Sequence, residues 1–179
     1  SDVCSSDLKF GGSSMAFNLG GQWAQGLSFP NVAALTPGTG DYTLECWLYP
    51  VAGSPGGGWP GVFNAPAFCQ HAAGGLFAPF GLGESPFWQE VGTLPNGEWS
   101  HIALCRQGTT VRLYFNGVQI RNHGPYTQAT PRLSTVGYHG GGPWECYFGY
   151  MDEFRYTKGV CRYPDGTTFS VPTAAFPDA

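Results

Sequence analysis

The segment Trp99–Ile120, WSHIALCRQGTTVRLYFNGVQI, constrains the fold of this chain more than any other stretch. Ile102 and Leu104 alternate with polar or small residues, and apolar side chains again fall on every second position after the Gln107–Gly108 turn. This period-2 pattern predicts two half-buried β-strands. Asn116–Gly117 occupies the two-residue slot that favours a type I′ hairpin turn, so a third strand follows. The resulting antiparallel meander has an apolar face, which needs a second sheet to cover it.

The composition agrees with an all-β protein. The 179 residues suffice for one domain with a sizeable core, and the chain has 28 Gly, 15 Pro and 16% aromatic residues but only 11% charged residues. The formal charge of −4 and the lack of a Lys/Arg cluster argue against a nucleic-acid surface. No apolar run is long enough to span a bilayer. We therefore expect neither a nucleic-acid partner nor a membrane partner.

A further strand with strong alternation is predicted over Thr43–Tyr49. Both of its faces carry bulky side chains, which indicates a central strand with one side on the core and the other lining a groove. The two faces are formed by Leu44, Cys46 and Leu48, and by Glu45, Trp47 and Tyr49.

Turn residues divide the rest of the chain into shorter predicted strands. Thr157–Tyr163 is predicted to form a helical turn, and Thr168–Pro172 is predicted to run back along the body of the domain. The shorter strands are Ser14–Phe17, Leu27–Phe29, Gly61–Ala65, Leu76–Phe80, Phe87–Val91, Leu133–Tyr138 and Trp144–Tyr156.

The central hairpin also carries a family resemblance. The run W-x-H-I-A, a turn, and then L-Y-F-N-G-V resembles the central hairpin of laminin-G-like, concanavalin A-type jelly rolls, and Gly40–Pro50 and Gly149–Tyr156 agree with it. The resemblance implies a two-sheet antiparallel jelly-roll sandwich from about residue 13 onward. The run Thr157–Val160, followed by Arg162 and Tyr163, is similar to the variant common in bacteriophage virion proteins. Because this superfold hosts lectins, adhesins, hydrolase accessory modules and spacers, the resemblance is specific for fold and weak for function.

The first eight residues look foreign to the domain. Ser1–Leu8, SDVCSSDL, back-translates into what resembles a common sequencing-library adapter read in frame. We therefore expect residues 1–8 to be non-native sequence in a gene taken from environmental DNA, and residues 9–179 to form a single laminin-G-like domain. A natural polar tail is the alternative.

The cysteines show no metal-binding or disulfide-framework spacing. No two of them lie in a C-x-x-C arrangement, which argues against a zinc or redox site. Their odd number, once Cys4 is set aside, argues against a disulfide-stapled secreted domain. We predict mostly free thiols, with one pair among the loop cysteines left open. The remaining positions are Cys46, Cys69, Cys105, Cys146 and Cys161.

The sequence offers no recognisable catalytic constellation, so we assign no catalytic residue and predict a protein that is not an enzyme. Hydrolases of the laminarinase type carry an acid-x-Asp-x-x-Glu run, which is absent here, as is a Gly-x-Ser-x-Gly elbow. His101 is interpreted as a half-buried structural histidine. A glycoside hydrolase is kept as a second alternative function.

Tryptophans beside Pro or Gly are the most suggestive functional feature. Trp59, Trp88 and Trp144 occupy such positions, where indole rings can stack on the C–H faces of sugars. Burial as caps on the ends of the sheets is the alternative, since Trp is highly buried on average. The predicted carbohydrate-binding set is completed by neighbours able to bind hydroxyls: His139, Gln89 and Asn64.

Asp152 is the candidate metal ligand. In the run G-Y-M-D-E-F-R it matches the aspartate that, in relatives of this fold, binds a structural Ca²⁺ together with backbone carbonyls. Oxygen ligation suits such a hard cation. The alternative is that Asp152 accepts backbone N–H hydrogen bonds from a neighbouring loop without an ion.

Taken together, these features predict a non-enzymatic module displayed on a virion or extracellular surface, of the phage-fibre or capsid-decoration type. The expected partners are a glycan or host-surface receptor and other virion proteins, with homo-oligomerisation left open. A purely structural spacer or oligomerisation domain of a virion is the first alternative.

Overall fold

The computed structural model describes residues 8–17, 26–52, 60–64, 67–70, 75–78, 89–138, 145–164 and 166–177, with the backbone alone for 67–70, 75–78 and 89–91. In these residues twelve strands form two six-stranded sheets, and all the strand pairings are antiparallel. A short 3-10 turn, Ala33–Leu35, lies between the second and third strands. No helix in this part of the chain has the length and apolar character needed to cross a membrane.

Sheet A contains the predicted central meander. Its strand order is β1 (Met15–Phe17), β12 (Gly149–Lys158), β3 (Tyr42–Pro50), β8 (Ser100–Gln107), β9 (Thr110–Phe115) and β10 (Val118–His123).

Sheet B covers the inner face of sheet A. Its order is β2 (Leu27–Ser28), β11 (Thr135–Val136), β4 (Gly61–Asn64), β5 (Ala67–Gln70), β6 (Gly75–Ala78) and β7 (Gln89–Thr93). The all-β class and the two-sheet antiparallel jelly-roll sandwich expected from the sequence are thus confirmed.

The core lies between the two sheets and follows from the alternation of the strands. Apolar side chains of β3, β8 and β9 point inward, where they pack against Val62, Phe63 and Val136 of sheet B. The inward set is almost fully removed from solvent, at 0–1% exposure, and comprises Leu44, Cys46, Leu48, Ile102, Leu104 and Leu113.

The turn between β9 and β10 has the predicted type I′ form. Asn116 and Gly117 have φ angles of 46° and 78°, both in the left-handed region that this turn requires. Gly117 is required for a second reason, because a Cβ atom there would lie 2.2 Å from the carbonyl oxygen of Phe169. The hairpin tip is therefore shaped to receive a segment that arrives from the end of the chain.

That segment covers the outer face of sheet A. The N–H of Phe169 donates to the carbonyl of Gly117, and the N–H of Gln119 donates to the carbonyl of Thr167, both at 2.7 Å. The prediction that Thr168–Pro172 runs back along the body is confirmed. We refer to residues 159–164 and 166–177 as the C-terminal segment.

The structure corrects the sequence-based predictions at several points. No helical turn forms over Thr157–Tyr163, because β12 continues to Lys158 in register with Tyr42 and the N–H of Gly159 then donates to Asp41. His101 is fully buried rather than half-buried. The short strand β5 was not anticipated.

Candidate functional site

Most of the predicted sugar-binding residues fall outside the part of the chain described here. Trp59, Trp88, Trp144 and His139 lie outside the described residues. Their convergence on one surface stays a prediction.

The two remaining residues of the predicted carbohydrate-binding set lie at the same end of sheet B. Asn64 ends β4 and Gln89 begins β7, with two strands between them, so their backbones are roughly 14 Å apart. The side-chain oxygen of Asn64 accepts hydrogen bonds from the N–H groups of Ser134 and Thr135, both at 3.0 Å. Asn64 therefore holds the chain that enters β11, and its role in sugar binding stays a prediction.

Asp152 anchors the beginning of the domain. Its Oδ2 accepts the N–H groups of Lys9 and Phe10 at 3.0 Å each, and its Oδ1 accepts the N–H of Glu153 at 2.8 Å. These neighbours supply hydrogen-bond donors, whereas Ca²⁺ requires several oxygen ligands. Within the described residues, no three His, Cys, Asp or Glu side chains come together as a metal site. In this structure Asp152 makes the backbone hydrogen bonds of the alternative reading, and calcium binding there stays a prediction.

Residues 9 and 10 also pack on the outer face of sheet A. Lys9 Nζ lies 3.9 Å from the centroid of the Trp47 ring, and the Phe10 ring meets the same indole edge-on at 5.9 Å. The contacts of the domain therefore include the first residue after the predicted foreign segment.

A buried charged cluster lies at the centre of this outer face. Glu45 on β3 is fully buried, and its Oε1 accepts hydrogen bonds from Arg155 Nε at 2.9 Å and Arg155 Nη2 at 2.7 Å. Its Oε2 accepts the hydroxyl of Tyr163 at 2.7 Å and lies 3.4 Å from Nε2 of His101. We call these four residues the Glu45 cluster.

The Glu45 cluster keeps the carboxylate ionised. Burial raises the pKa of Glu45, but the nearby His101 and the hydrogen bonds from Tyr163 and Arg155 outweigh it, so the pKa lies below the ordinary 4.5. Burial and the contact with Glu45 raise the pKa of Tyr163, which therefore stays a hydrogen-bond donor. A general acid of glycoside cleavage needs a raised carboxyl pKa instead. The geometry suits a structural ion pair.

An open pocket of about 240 Å³ lies beside this cluster, where the C-terminal segment crosses β9. We call it the aromatic pocket. It is lined by Tyr114, Arg162, Tyr163, Pro164, Gly166, Thr168 and Phe169.

The rings of the aromatic pocket hold one another in place. Tyr163 and Phe169 stack with centroids 3.6 Å apart and planes 9° apart, and the Phe169 ring meets Tyr114 at 5.2 Å with the planes 74° apart. The buried Tyr114 hydroxyl lies within hydrogen-bond distance of two acceptors, the carbonyls of Tyr163 at 2.9 Å and Gly166 at 3.1 Å. These contacts fix the pocket wall before any ligand arrives.

Arg162 adds polar groups at the rim of the pocket. Its backbone N–H donates to Thr43 Oγ1 at 2.9 Å and its Nε donates to Thr157 Oγ1 at 3.0 Å. Its side chain is 38% exposed, and its two terminal amino groups have no hydrogen-bond partner among the described residues. An apolar wall thus adjoins the partly exposed N–H donors of Arg162, which suits a ligand with apolar faces and hydroxyl groups.

A second pocket, of about 300 Å³, has a different chemistry. It lies by the turn between β8 and β9 and lacks aromatic rings. Its lining is polar and consists of Thr109, Thr110, Arg112, Asn122, Gly124 and Pro125. It offers no apolar ring surface on which a ligand could stack.

Sequence reasoning did not find the aromatic pocket, although two signals were present. The bulky outer face of β3 indicated that something covers it, and Arg162–Tyr163 was noted only for its resemblance. The sequence does not show that Tyr163 contacts Glu45, because 118 positions separate these residues.

The strand order, the antiparallel pairing and the covered outer face define a concanavalin A-like sandwich. The family model Laminin_G_3, described as the concanavalin A-like lectin/glucanases superfamily, matches residues 19–161, and the chain belongs to this family. The resemblance of the central hairpin is thereby confirmed. A comparison with curated protein sequences gives no match.

Solved structures share the fold at low sequence identity. A putative carbohydrate binding protein from Bacteroides ovatus matches with a TM-score of 0.56 and 16% identity, covering 83% of this chain and 44% of that one. Domain 4 of AbnA, a GH43 extracellular arabinanase from Geobacillus stearothermophilus, in complex with arabinotriose, matches with a TM-score of 0.53 and 19% identity. That match covers 84% of this chain and 78% of the arabinanase domain.

Proposed function

We propose that this chain is a carbohydrate-binding module and that the aromatic pocket is part of its binding surface. The observation that carries the proposal is the stacked pair Tyr163–Phe169 beside the partly exposed guanidinium of Arg162. Sugar rings present C–H faces that pack on aromatic rings, while their hydroxyls bind N–H donors. Ligand sites in proteins combine apolar walls with a few placed polar groups in the same way.

The fold neighbours support the choice of ligand class. One is named as a putative carbohydrate binding protein, and the other holds arabinotriose. We propose a second, separate sugar-binding site formed by the predicted set Trp59, Trp88, Trp144, His139, Gln89 and Asn64. They supply the same pairing of ring faces with hydrogen-bonding groups.

Binding without cleavage is the favoured activity. Glu45, which accepts the hydroxyl of the pocket-wall residue Tyr163, is buried and held ionised by Arg155 and Tyr163, so it does not suit acid–base chemistry. We place the module on a virion or extracellular surface, where it would contact a host-surface glycan and other virion proteins. The likeness of Thr157–Val160, followed by Arg162 and Tyr163, to the phage variant of this fold supports this proposal.

A glycan array probed with the whole chain tests the proposed function. Specific binding to a group of related glycans is expected, and incubation with the bound glycans should release no shorter products. Release of reducing ends would favour the glycoside hydrolase alternative. An array without any specific signal would contradict the proposal and favour the spacer.

A further inference from the structure

Two cysteines meet between sheet A and the C-terminal segment. Cys105 lies on β8, is fully buried and belongs to a small cluster on the outer face with Ala103 and Tyr114. Cys161 lies in the C-terminal segment, is half-buried and packs against that same cluster. Both side chains are free thiols.

One hydroxyl group fixes both cysteine-bearing segments. Thr43, the cross-strand partner of Cys105, accepts a hydrogen bond from the Cys105 thiol at 3.5 Å. The same hydroxyl donates to the carbonyl of Val160 and accepts the N–H of Arg162, both at 2.9 Å. The residues on either side of Cys161 are thus held directly over the strand pair that carries Cys105.

We propose that Cys105 and Cys161 form a thiol–disulfide site, at which a low-molecular-weight disulfide oxidant closes a covalent link between β8 and the C-terminal segment. The inference is separate from sugar binding and concerns how the covering segment is secured.

The two thiols are suited to different steps of the reaction. The contact with the Cys105 thiol, aided by the N–H of Tyr163 and the charge of Arg112, outweighs burial and lowers the pKa of Cys161 to about 7. The contact with Cys161 and burial raise the pKa of Cys105. Cys161 is therefore the thiolate that reacts first, since the thiolate is the nucleophile in exchange.

The exchange proceeds in two balanced steps. The Cys161 thiolate attacks one sulfur of the oxidant RSSR, forming a mixed disulfide and expelling RS⁻. Cys105 then loses its proton to solvent and attacks the Cys161 sulfur, which forms the Cys105–Cys161 bond and expels the second RS⁻. Two protein thiols are oxidised and one RSSR is reduced to two RSH.

The link would close a loop of about 56 residues in the unfolded chain. A loop of that size should raise the melting temperature by roughly 10 °C in a domain of this length. It would also secure the segment that carries Tyr163 and Phe169.

The test is to incubate the reduced full-length chain with oxidised glutathione. Intact-mass measurement should show the loss of two hydrogens without retained glutathione, and peptide mapping should join Cys105 to Cys161. The melting temperature should rise by roughly 10 °C and return on reduction. Cys161→Ser should abolish both effects. Cys105→Ala should stop at a stable glutathione adduct on Cys161.

Cys46→Ala is the matched control, because Cys46 is an equally buried thiol on the opposite face of β3 and burial raises its pKa. This variant should form the link as the wild type does. The proposal is overturned if the wild type retains glutathione on Cys161 without closing, or if mapping joins a different pair of cysteines. It is likewise overturned if Cys161 is alkylated by iodoacetamide no faster than Cys46.

Discussion

The two faces of sheet A are buried by different means. The inner face of β3 presents Leu44, Cys46 and Leu48 to sheet B. Burial of these apolar side chains requires only close packing. The outer face of the same strand presents Glu45, which is equally buried but is surrounded by hydrogen-bonding partners. One face is covered by a sheet, the other by a segment without regular secondary structure.

The two faces place different requirements on the part of the chain that covers them. A sheet buries apolar side chains non-specifically, with roughly 25 cal/mol gained per Å² of apolar surface. A polar face can be buried only if each group finds a partner, since an unpaired buried charge is costly. Arg155 of β12 and Tyr163 of the C-terminal segment provide partners for Glu45, so the hydrogen bond from Tyr163 helps to fix how that segment lies on sheet A. That requirement explains why a built pocket forms there.

The largest effect should follow from breaking the ion pair of the outer face. Arg155→Met leaves the buried Glu45 without the guanidinium that donates two hydrogen bonds to its Oε1, and breaking a buried pair costs about 3–5 kcal/mol. Denaturant unfolding measures the loss. Arg112→Met is the matched control, because Arg112 lies on the same face and its hydrogen bond to Gln107 is an exposed contact. Equal losses for the two variants would refute the special role of the Glu45 cluster.

A core substitution on the inner face should come next. Leu113→Ala removes a fully buried side chain and should cost about 2–5 kcal/mol. Its neighbour Tyr114 faces outward, and Tyr114→Phe keeps the ring but removes the hydrogen bond of its hydroxyl, at a cost of about 0.5–1.5 kcal/mol. Unfolding curves that ranked the two variants in the opposite order would contradict the contrast between the faces.

A smaller loss is expected at the edge of the outer face, where Asp152 accepts three backbone N–H groups. Asp152→Asn removes the charge and one acceptor oxygen and should cost about 1.5–3 kcal/mol, with or without Ca²⁺. Melting curves of the wild type and the variant, recorded with a chelator and with Ca²⁺, measure this loss. Stabilisation of the wild type by Ca²⁺, about 2.7 kcal/mol at a hundredfold excess over Kd, together with its absence in the variant, would establish the calcium site instead.

The smallest effect is a pH dependence. Because the pKa of Glu45 is lower in the folded chain than its ordinary 4.5, the unfolded chain takes up the proton first as the pH falls. The stabilisation is therefore present above about pH 4.5 and is lost as the pH falls through the folded-state pKa. Glu45→Gln should flatten the stability profile in this acidic range. An unchanged profile would mean that the carboxylate is not stabilised by its partners.

The alternation of apolar and polar residues predicts the strands whose apolar side chains form the inner face, because this pattern depends only on neighbours in sequence. Thr43–Tyr49 and the two strands around Asn116–Gly117 were found in this way, and their observed bounds differ by little. The helical turn over Thr157–Tyr163 was wrong because that stretch is held by distant partners, among them Tyr42 and Asp41.

The site on the outer face could not be predicted for the same reason. The bulk of Trp47 and Glu45 indicated a groove, but the sequence does not show that the chain's own C-terminal segment lies there. Tyr163 and Phe169 lack periodic context, and their stacking depends on the crossing of β9 by that segment. Long-range pairing of irregular segments leaves no local pattern.

The central claim, that the aromatic pocket binds sugar, is tested most directly by titrating an array-identified glycan against Phe169→Ala. The matched control is Val160→Ala, which removes a 47% exposed apolar side chain from the same segment outside the pocket. Melting curves confirm that both variants are folded, and Arg162→Gln provides a second, exposed pocket variant.

We expect Phe169→Ala to weaken binding more than tenfold, since truncation of a binding aromatic often costs about 2 kcal/mol and 1.4 kcal/mol is one decade. Val160→Ala should bind as the wild type does. Wild-type affinity in both pocket variants, with binding lost in Trp59→Ala, Trp88→Ala or Trp144→Ala, would contradict the claim and assign the sugar to the tryptophans.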